Sequence, residues 1–440
     1  MAAELSVEDT NTDTTSERDV FLASIPHSRI TRVAVLADDT LADLIKVFSQ
    51  EGYGSMTQDR ERNLAYRRGI TAWARRRSSD AKERVLEIGP GADAVLTRIL
   101  IEQAGSLKGS LKRLQVLALE GNPKACHSAR ARLSDLRPGL VQVLGLLSTQ
   151  FSSETLVEHL GGPPTMILHE LLGMFASCES VAFVIRDLID KIIDKTAASA
   201  TPTTPAWLPA AFGTFYQPVL LDHQVRVPAV AVPVNQPRLL LTHDRLALRD
   251  NRHRLSPCAG LLEWFDTANE DRSQWLRQQH TAEFTVQEDN CQLNALVCFI
   301  HIEFDAFEPH GDSFEPSDGR AKRRRCTRRD PVQVERPAPS AETTKTRARQ
   351  AAVITSARDS TTSSRPAETG DGLYHASNWA NPLVFLSQKV QLNRGDKLIV
   401  SSDVDLEPQV PSYTFRLDLL LSDNKTLIKI DEFTIGPRRQ

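Results

Sequence analysis

The chain has 440 residues, 40% of them hydrophobic, and a formal net charge of −3. That is apolar material for a real core and length for two or three domains, and the near-neutral balance excludes a molecule whose whole surface grips nucleic acid or membrane. The six cysteines (126, 178, 258, 291, 298 and 326) form no CxxC pair and no His-Cys metal spacing, so no metal site is expected and a reducing compartment is.

Residues 1–35 read as a disordered, variable N-terminus, with Thr, Ser, Asp and Glu dominating the first twenty positions. Met1 to Asp19 is polar and acidic, unlike a secretory signal or an Arg-rich transit peptide. No apolar run approaches the roughly 20 residues of a membrane helix, so no membrane partner is expected. Leu41, Leu44, Ile45 and Phe48 repeat at helical spacing, and Leu64, Ile70 and Trp73 fit the core contacts of a second helix. Strand patterns follow at 84–88, 114–119, 140–144 and 165–168, with helices at 93–104 and 122–136 between them. This alternation predicts a Rossmann-like α/β domain over 36–200, with the two helices at its N-terminal end.

Beyond Thr201-Pro-Thr-Thr-Pro205 the texture changes to short β-rich runs at 211–221, 225–234, 238–242, 293–304, 383–390, 397–401 and 413–421. They predict a second, all-β domain over 201–440, a barrel or sandwich. Residues 308–370 interrupt it with Ser, Thr, Pro and Arg, and 320–349 carries eleven Lys/Arg against three Asp/Glu. The stretch is read as a disordered basic insertion, with an unspliced intron as the other reading. Lys322-Arg-Arg-Arg325 and Arg328-Arg329 fit a nuclear import signal or a nucleic-acid contact, the one place where nucleic acid is expected.

Three motifs carry chemistry. In Val85-Leu-Glu-Ile-Gly-Pro-Gly-Ala-Asp93 an apolar strand runs into Gly-x-Gly, which lets a nucleotide-like cofactor approach the backbone. The third glycine of a diphosphate cradle is missing, which argues against a hydride enzyme. The next strand, Val116-Leu-Ala-Leu-Glu120, ends in an acid that either accepts both ribose hydroxyls or caps the following helix. In His169-Glu-Leu-Leu-Gly-Met-Phe-Ala-Ser-Cys-Glu-Ser180, Glu170 and Glu179 lie nine positions apart, directly after an apolar run. A strand opening there into a loop presents both acids at one site; two solvated loop acids are the bland alternative.

Together these motifs resemble the protein arginine methyltransferases, well over 50–200 and loosely over 201–306 and 371–435. The resemblance implies S-adenosyl-L-methionine as cofactor, bound by Glu87, Gly89, Gly91 and Glu120. In Tyr53-Gly-Ser-Met56-Thr-Gln-Asp59-Arg-Glu-Arg62 it places Tyr53 and Arg62 on a lid that covers the cofactor and pairs with its carboxylate. It makes Glu170 and Glu179 the catalytic "double-E" pair. Arginine stays protonated, and two carboxylates would draw its charge away from one nitrogen and aim that nitrogen at the methyl sulfonium. Trp379, in Ser377-Asn378-Trp379, matches the family's Thr-His-Trp loop beside the substrate.

Departures are His169 where Ser is common, Asn378 for His, and Gly145-Leu-Leu147-Ser-Thr149 where an acid usually meets the adenine, with backbone groups or Ser148 as stand-ins. Met56 matches the monomethylating and asymmetric branches, while the double-E loop is closer to the symmetric (type II) branch, so the product stays open. The expected partner is a protein with accessible arginines, such as a histone or an RNA-binding protein. A homodimer formed through an arm in 215–240, or a partner subunit, is also expected, in cytoplasm or nucleus. The competing readings are a catalytically degenerate scaffold and a small-molecule methyltransferase.

Overall fold

The computed structural model describes residues 16–25, 27, 30–33, 57–77, 81–106, 113–196, 205–221, 230–233, 238–242, 255, 259–267, 275–304, 353–355, 381–408 and 410–436. Tyr53, Met56, Trp379 and all of the basic insertion except 353–355 lie outside the described residues. The elements run α1 (Glu17–Ala23), β1 (Ile30–Val33), α2 (Arg60–Arg75), β2 (Glu83–Ile88), α3 (Val95–Ser106), β3 (Leu114–Leu119), α4 (Pro123–Arg132), β4 (Val141–Leu144), α5 (Ser153–Leu160), β5 (Met166–His169), α6 (Val181–Thr196) and β6 (Ala206–Leu208). There follow β7 (Ala211–Val219), β8 (Val230–Pro233), β9 (Leu239–Thr242), β10 (Gly260–Asp266), β11 (Arg277–Thr285), β12 (Cys291–Glu303), β13 (Val353–Thr355), β14 (Asn381–Leu392), β15 (Lys397–Asp405), β16 (Ser412–Leu420) and β17 (Leu427–Ile435).

The first domain is the expected α/β unit. Val85, Leu86, Val116, Leu117, Met166, Ile167 and Leu168 are all buried, as strands covered on both faces must be. The five-stranded sheet has the order β4-β3-β2-β5-β6, and every pair is parallel. The order reverses between β2 and β5. A reversal of this kind opens a crevice beyond the carboxyl ends of the two strands, where ligands of such sheets bind. The apolar stripe Val184, Ile185, Leu188 and Ile192 of α6 packs into the core of this domain. β6 comes from beyond position 200 yet pairs with β5, Met166 against Ala206 and Leu168 against Leu208, so the parallel sheet reaches past the composition break.

The second domain is two facing sheets, of order β1-β8-β9-β14-β12-β7-β10 with β13 on β12, and β11-β15-β16-β17. All their pairs are antiparallel except β1 with β8. Tyr216 of β7 bridges the sheets, its ring 6.0 Å from Phe284 and 5.9 Å from Phe415. No described helix is long and apolar enough to cross a membrane.

Two expectations are corrected. Within 1–35, residues 17–23 form a helix and 30–33 a strand of the larger sheet. Phe21 and Ile25 bury against Val219, Val297 and Phe385, with the Phe21 and Phe385 rings 5.4 Å apart. A short helix is stabilised by such packing, which overall composition does not register. Within the insertion, Val353-Ile-Thr355 adds a strand beside His301–Glu303, three β-favouring residues in a polar stretch. The stretch 215–240, where a dimerisation arm is expected, supplies most of β7, all of β8 and the start of β9 to the sheet; its residues 222–229 and 234–237, which would carry the arm, lie outside the described ones.

Candidate active site

At the carboxyl end of β2 the chain turns through Gly89 and Gly91, with φ of 70° and 69°. A side chain in this left-handed region is strained, and a Cβ on Gly89 would also press on Leu171 Cδ2 at 3.1 Å. The turn leaves its backbone open toward the crevice. The Gly91 amide donates to Glu120 Oε2 at 2.9 Å, and the Asn122 amide donates to Glu120 Oε1 at 2.8 Å. Asn122 itself caps α4, its Oδ1 accepting from Lys124 N and Ala125 N. The helix cap is therefore Asn122, and Glu120 is free to serve as a buried carboxylate on the pocket wall. Burial raises its pKa, against the two amide donors.

Glu87 is placed differently from the other expected site residues. It sits on β2 beneath the turn, is fully buried, and accepts from the Thr97 hydroxyl of α3. It does not line the pocket. Burial pushes its carboxyl up to about 7, so near neutrality it is part-protonated and able to donate as well as accept.

The start of α2 supplies the cation. Asp59 caps the helix, its Oδ1 accepting from Arg62 N at 3.0 Å, and this fixes Arg62 in the first turn. Arg62 is 5% exposed, and its Nη2 lies 2.7 Å from Glu170 Oε2. Its Nη1 donates to Asn63 Oδ1, and its guanidinium lies 5.6 Å from the Tyr66 ring centroid. Burial pulls its pKa down, but Glu170 and the other neighbours outweigh this and hold it above the ordinary value. Thr57 ties the same end of the helix to the glycine turn through a 2.7 Å hydrogen bond to Asp93 Oδ2. The Tyr66 hydroxyl donates to the His169 carbonyl, joining α2 to the end of β5.

From there the loop carries Glu170 and Glu179 back into one pocket, the same one lined by Arg62, Gly89, Gly91 and Glu120. Gly173 makes the return possible: a Cβ there would collide with Cys178 Sγ and crowd Glu179. Glu170 is buried beside Arg62, while Glu179 is half-buried at the pocket. Burial pushes the Glu179 carboxyl up to about 8, repulsion from Glu170 adds to this, and Arg62 opposes it. His169 turns away, into a seam between the domains, with its ring 5.5 Å from Phe212 and 6.4 Å from Trp207. Burial pulls its pKa down to about 3, so it is neutral there and takes no part in the pocket.

At the other end of the pocket Leu146, Leu147 and Ser148 stand where no acid occurs. Lys191 of α6 holds this turn by donating to the Ser148 and Thr149 carbonyls at 3.2 and 2.9 Å, while pairing with Asp187 at 2.6 Å. Among the described residues, no three His, Cys, Asp or Glu side chains gather as a metal ion would need. Sequence reasoning missed the partners of the far end of the double-E loop. These are Thr214, Glu263 and Tyr413, all from the β domain. The one local signal is an acid in the middle of the apolar run Gly-Leu-Leu-Glu-Trp-Phe.

No family model matches the chain, and neither does any curated protein sequence. Solved structures do. Arabidopsis thaliana protein arginine methyltransferase 10 superposes with a TM-score of 0.56 at 13% identity, over 87% of this chain and 96% of its own. A chain of the Trypanosoma brucei PRMT1 enzyme–prozyme heterotetrameric complex with AdoHcy superposes with a TM-score of 0.53 at 11% identity, over 88% and 97%. The chain thus has the fold of these arginine methyltransferases, a Rossmann-like domain followed by an antiparallel β domain.

Proposed function

We propose that this chain is an S-adenosyl-L-methionine-dependent protein arginine N-methyltransferase. The observation that carries the reading is the single pocket at the β2/β5 reversal, where a glycine turn, a buried acid and a buried arginine meet two further acids. The residues fit the cofactor. Gly89 and Gly91 bring bare backbone to the wall, Glu120 offers a carboxylate for a ribose diol, and Arg62 offers a fork for a carboxylate. Ile88, Leu119, Leu146 and Leu147 supply apolar surface for a purine. The resemblance in sequence assigns Tyr53 to the cofactor lid and Met56 and Trp379 to the substrate side; all three lie outside the described residues. Glu87 supports the turn from beneath through Thr97.

The cofactor, when bound, supplies a methyl group on a sulfonium. Glu170 and Glu179 hold the substrate guanidinium and draw its positive charge toward the nitrogens they touch. The remaining nitrogen keeps more of its lone pair and is aimed for in-line attack. Arg62 pairs with Glu170 and holds it at the pocket wall. Glu179 carries a proton near pH 7 in the free protein, and an arriving cation would draw the carboxylate back to its ionised form.

The proposed substrates are arginine-rich protein segments such as histone tails or RNA-binding proteins, in the cytoplasm or nucleus. The loop Glu170-Leu-Leu-Gly-Met-Phe favours the symmetric branch and Met56 the monomethylating and asymmetric ones, so the product is left open. The Trypanosoma neighbour is an enzyme–prozyme heterotetramer, which supports a homodimer or a partner subunit for this chain too. The test is methyl transfer to an arginine-rich histone-tail peptide, read as methylarginine by mass spectrometry after hydrolysis. The expected result is methylarginine from the native protein and none from Glu170→Gln, and the isomer assigns the branch. A non-catalytic scaffold is the second reading, favoured by the absence of an acid beside Leu146, Leu147 and Ser148. It wins if no product forms and calorimetry finds no binding at millimolar S-adenosylmethionine.

A further inference from the structure

The far end of the double-E loop rests on one carboxylate of the β domain. Glu263 lies in β10 and is 0% exposed. The β7–β10 register slips between Leu261 and Glu263, a bulge of the kind that re-aims a side chain. Thr214 stands opposite Glu263 and Gly213 opposite Trp264, and a Cβ on Gly213 would collide with the Glu263 carbonyl. Glu263 Oε1 accepts from the Ser177 amide at 3.1 Å and the Thr214 hydroxyl at 2.6 Å. Its Oε2 accepts from the Ser177 hydroxyl. Two further contacts close the network. Ser177 Oγ lies 2.7 Å from the Tyr413 hydroxyl, and Thr214 Oγ1 accepts from the Ala176 amide at 2.8 Å.

Burial raises the Glu263 carboxyl and the donors around it oppose this. When ionised it has only acceptors, and the protons then have one arrangement: Ser177 donates to Glu263 and accepts from Tyr413, and Thr214 donates to Glu263 and accepts from the Ala176 amide. Two of the three donors to Glu263 belong to Ser177, two positions before Glu179, and the third is passed on to Ala176 through Thr214. Among the described residues no cation pairs with Glu263, and a buried acid so placed is a costly way to join two domains; apolar packing would join them at lower cost. Two of the three donors that satisfy this acid come from the loop, and the third, Thr214, stands on the neighbouring strand β7.

We propose that Glu263 is a positioning residue for the guanidinium site: by clamping Ala176 and Ser177 it fixes Glu179, so the β domain sets the geometry of the second carboxylate. The role in turnover rests on the methyltransferase reading; the clamp itself does not. Two variants test it. Glu263→Gln puts an amide donor against the donors of Ser177 and Thr214, and Ser177→Ala removes the loop hydroxyl while leaving Glu263 and Thr214 in place. Hydrogen exchange measured by mass spectrometry reads the clamp. Methyl transfer to the histone-tail peptide reads its use, with S-adenosylhomocysteine calorimetry counting folded sites.

In both variants exchange over 171–180 is expected to rise about tenfold or more, as loss of a charge-assisted hydrogen bond implies. Exchange over 83–106 and the binding stoichiometry stay native. Turnover per binding site falls about 100-fold, the scale of a misplacement near 1 Å, and the Michaelis constant for the peptide rises. Native exchange over 171–180 in Ser177→Ala overturns the clamp, whether or not Glu263→Gln folds. Faster exchange with native turnover per site overturns the positioning role. A native protein that shows faster exchange in both variants but transfers no methyl group overturns the methyltransferase reading and leaves the clamp standing.

Discussion

Glu170 and Glu179 stand at the two ends of one loop, and different halves of the molecule hold them. The Glu170 end leans on the α/β domain, where Arg62 pairs with its carboxylate at 2.7 Å and Tyr66 donates to the preceding carbonyl. The Glu179 end leans on the β domain through Ala176 and Ser177. The same residue type therefore has two chemistries. Glu170 faces a permanent cation, whereas Glu179 is pushed up to about 8 by burial and by Glu170. A site that must grip one cation benefits from this difference. Two fully charged carboxylates side by side would repel each other in the empty pocket, and one that holds a proton until the cation arrives does not.

The largest expected effect falls on the α/β side. Glu170→Gln removes the nearest carboxylate from a buried guanidinium, which costs about 3–5 kcal/mol when such pairs are broken. Denaturant unfolding measures this, and the same substitution should cut methyl transfer by about 10²–10³-fold. If Glu179→Gln costs as much stability, the contrast between the two ends is wrong. Next comes Gly89→Ala. At φ 70° with Leu171 close by, it should cost about 1–2 kcal/mol and weaken S-adenosylhomocysteine binding in calorimetry. Lys191→Met should do less, below about 1 kcal/mol because the lysine is partly exposed. Its signature is a few-fold loss of S-adenosylhomocysteine affinity with the peptide Michaelis constant unchanged.

Glu179→Gln is expected to act on stability with the opposite sign, stabilising at neutral pH, because it removes the cost of holding a proton that the unfolded chain has released. The folded protein holds the Glu179 proton up to about pH 8, against an ordinary value of 4.5. Between those values the folded state binds more protons than the unfolded chain, so this group's contribution is full below about 4.5 and is lost as pH rises through 8. His169 acts in the opposite sense. Its pKa is lowered to about 3 from 6.5, so its contribution favours folding above 6.5 and is lost as pH falls toward 3. The dependence of melting temperature on pH should therefore be flatter between about pH 6.5 and 8 for Glu179→Gln than for the native chain, and parallel to it above.

What was legible in the sequence follows a physical pattern. Gly89, Gly91, Glu120 and Glu170 were readable because each sits where a strand ends, and local backbone shape and chemistry coincide there; Glu179 was readable from its spacing to Glu170 within one loop. Glu263 was not, because its partner Ser177 is 86 positions away and Tyr413 is 236 positions from the same serine. No local spacing encodes such a contact. His169 occupies a motif position but points into the apolar seam with Phe212, since alternate residues of a strand face opposite sides. Glu87 lies within the glycine motif yet under it, for the same reason. The N-terminal helix was hidden by composition, which averages Phe21 and Ile25 into a polar background.

The most direct test of the account is the proton count on substrate binding. The histone-tail peptide is titrated at pH 7 into protein saturated with S-adenosylhomocysteine, in two buffers of different ionisation enthalpy. The account predicts release of close to one proton per peptide bound by the native chain, as Glu179 ionises against the guanidinium, and almost none by Glu179→Gln. Peptide binding with the same heat in both buffers would contradict it, because Glu179 would then already be ionised or would not meet the cation.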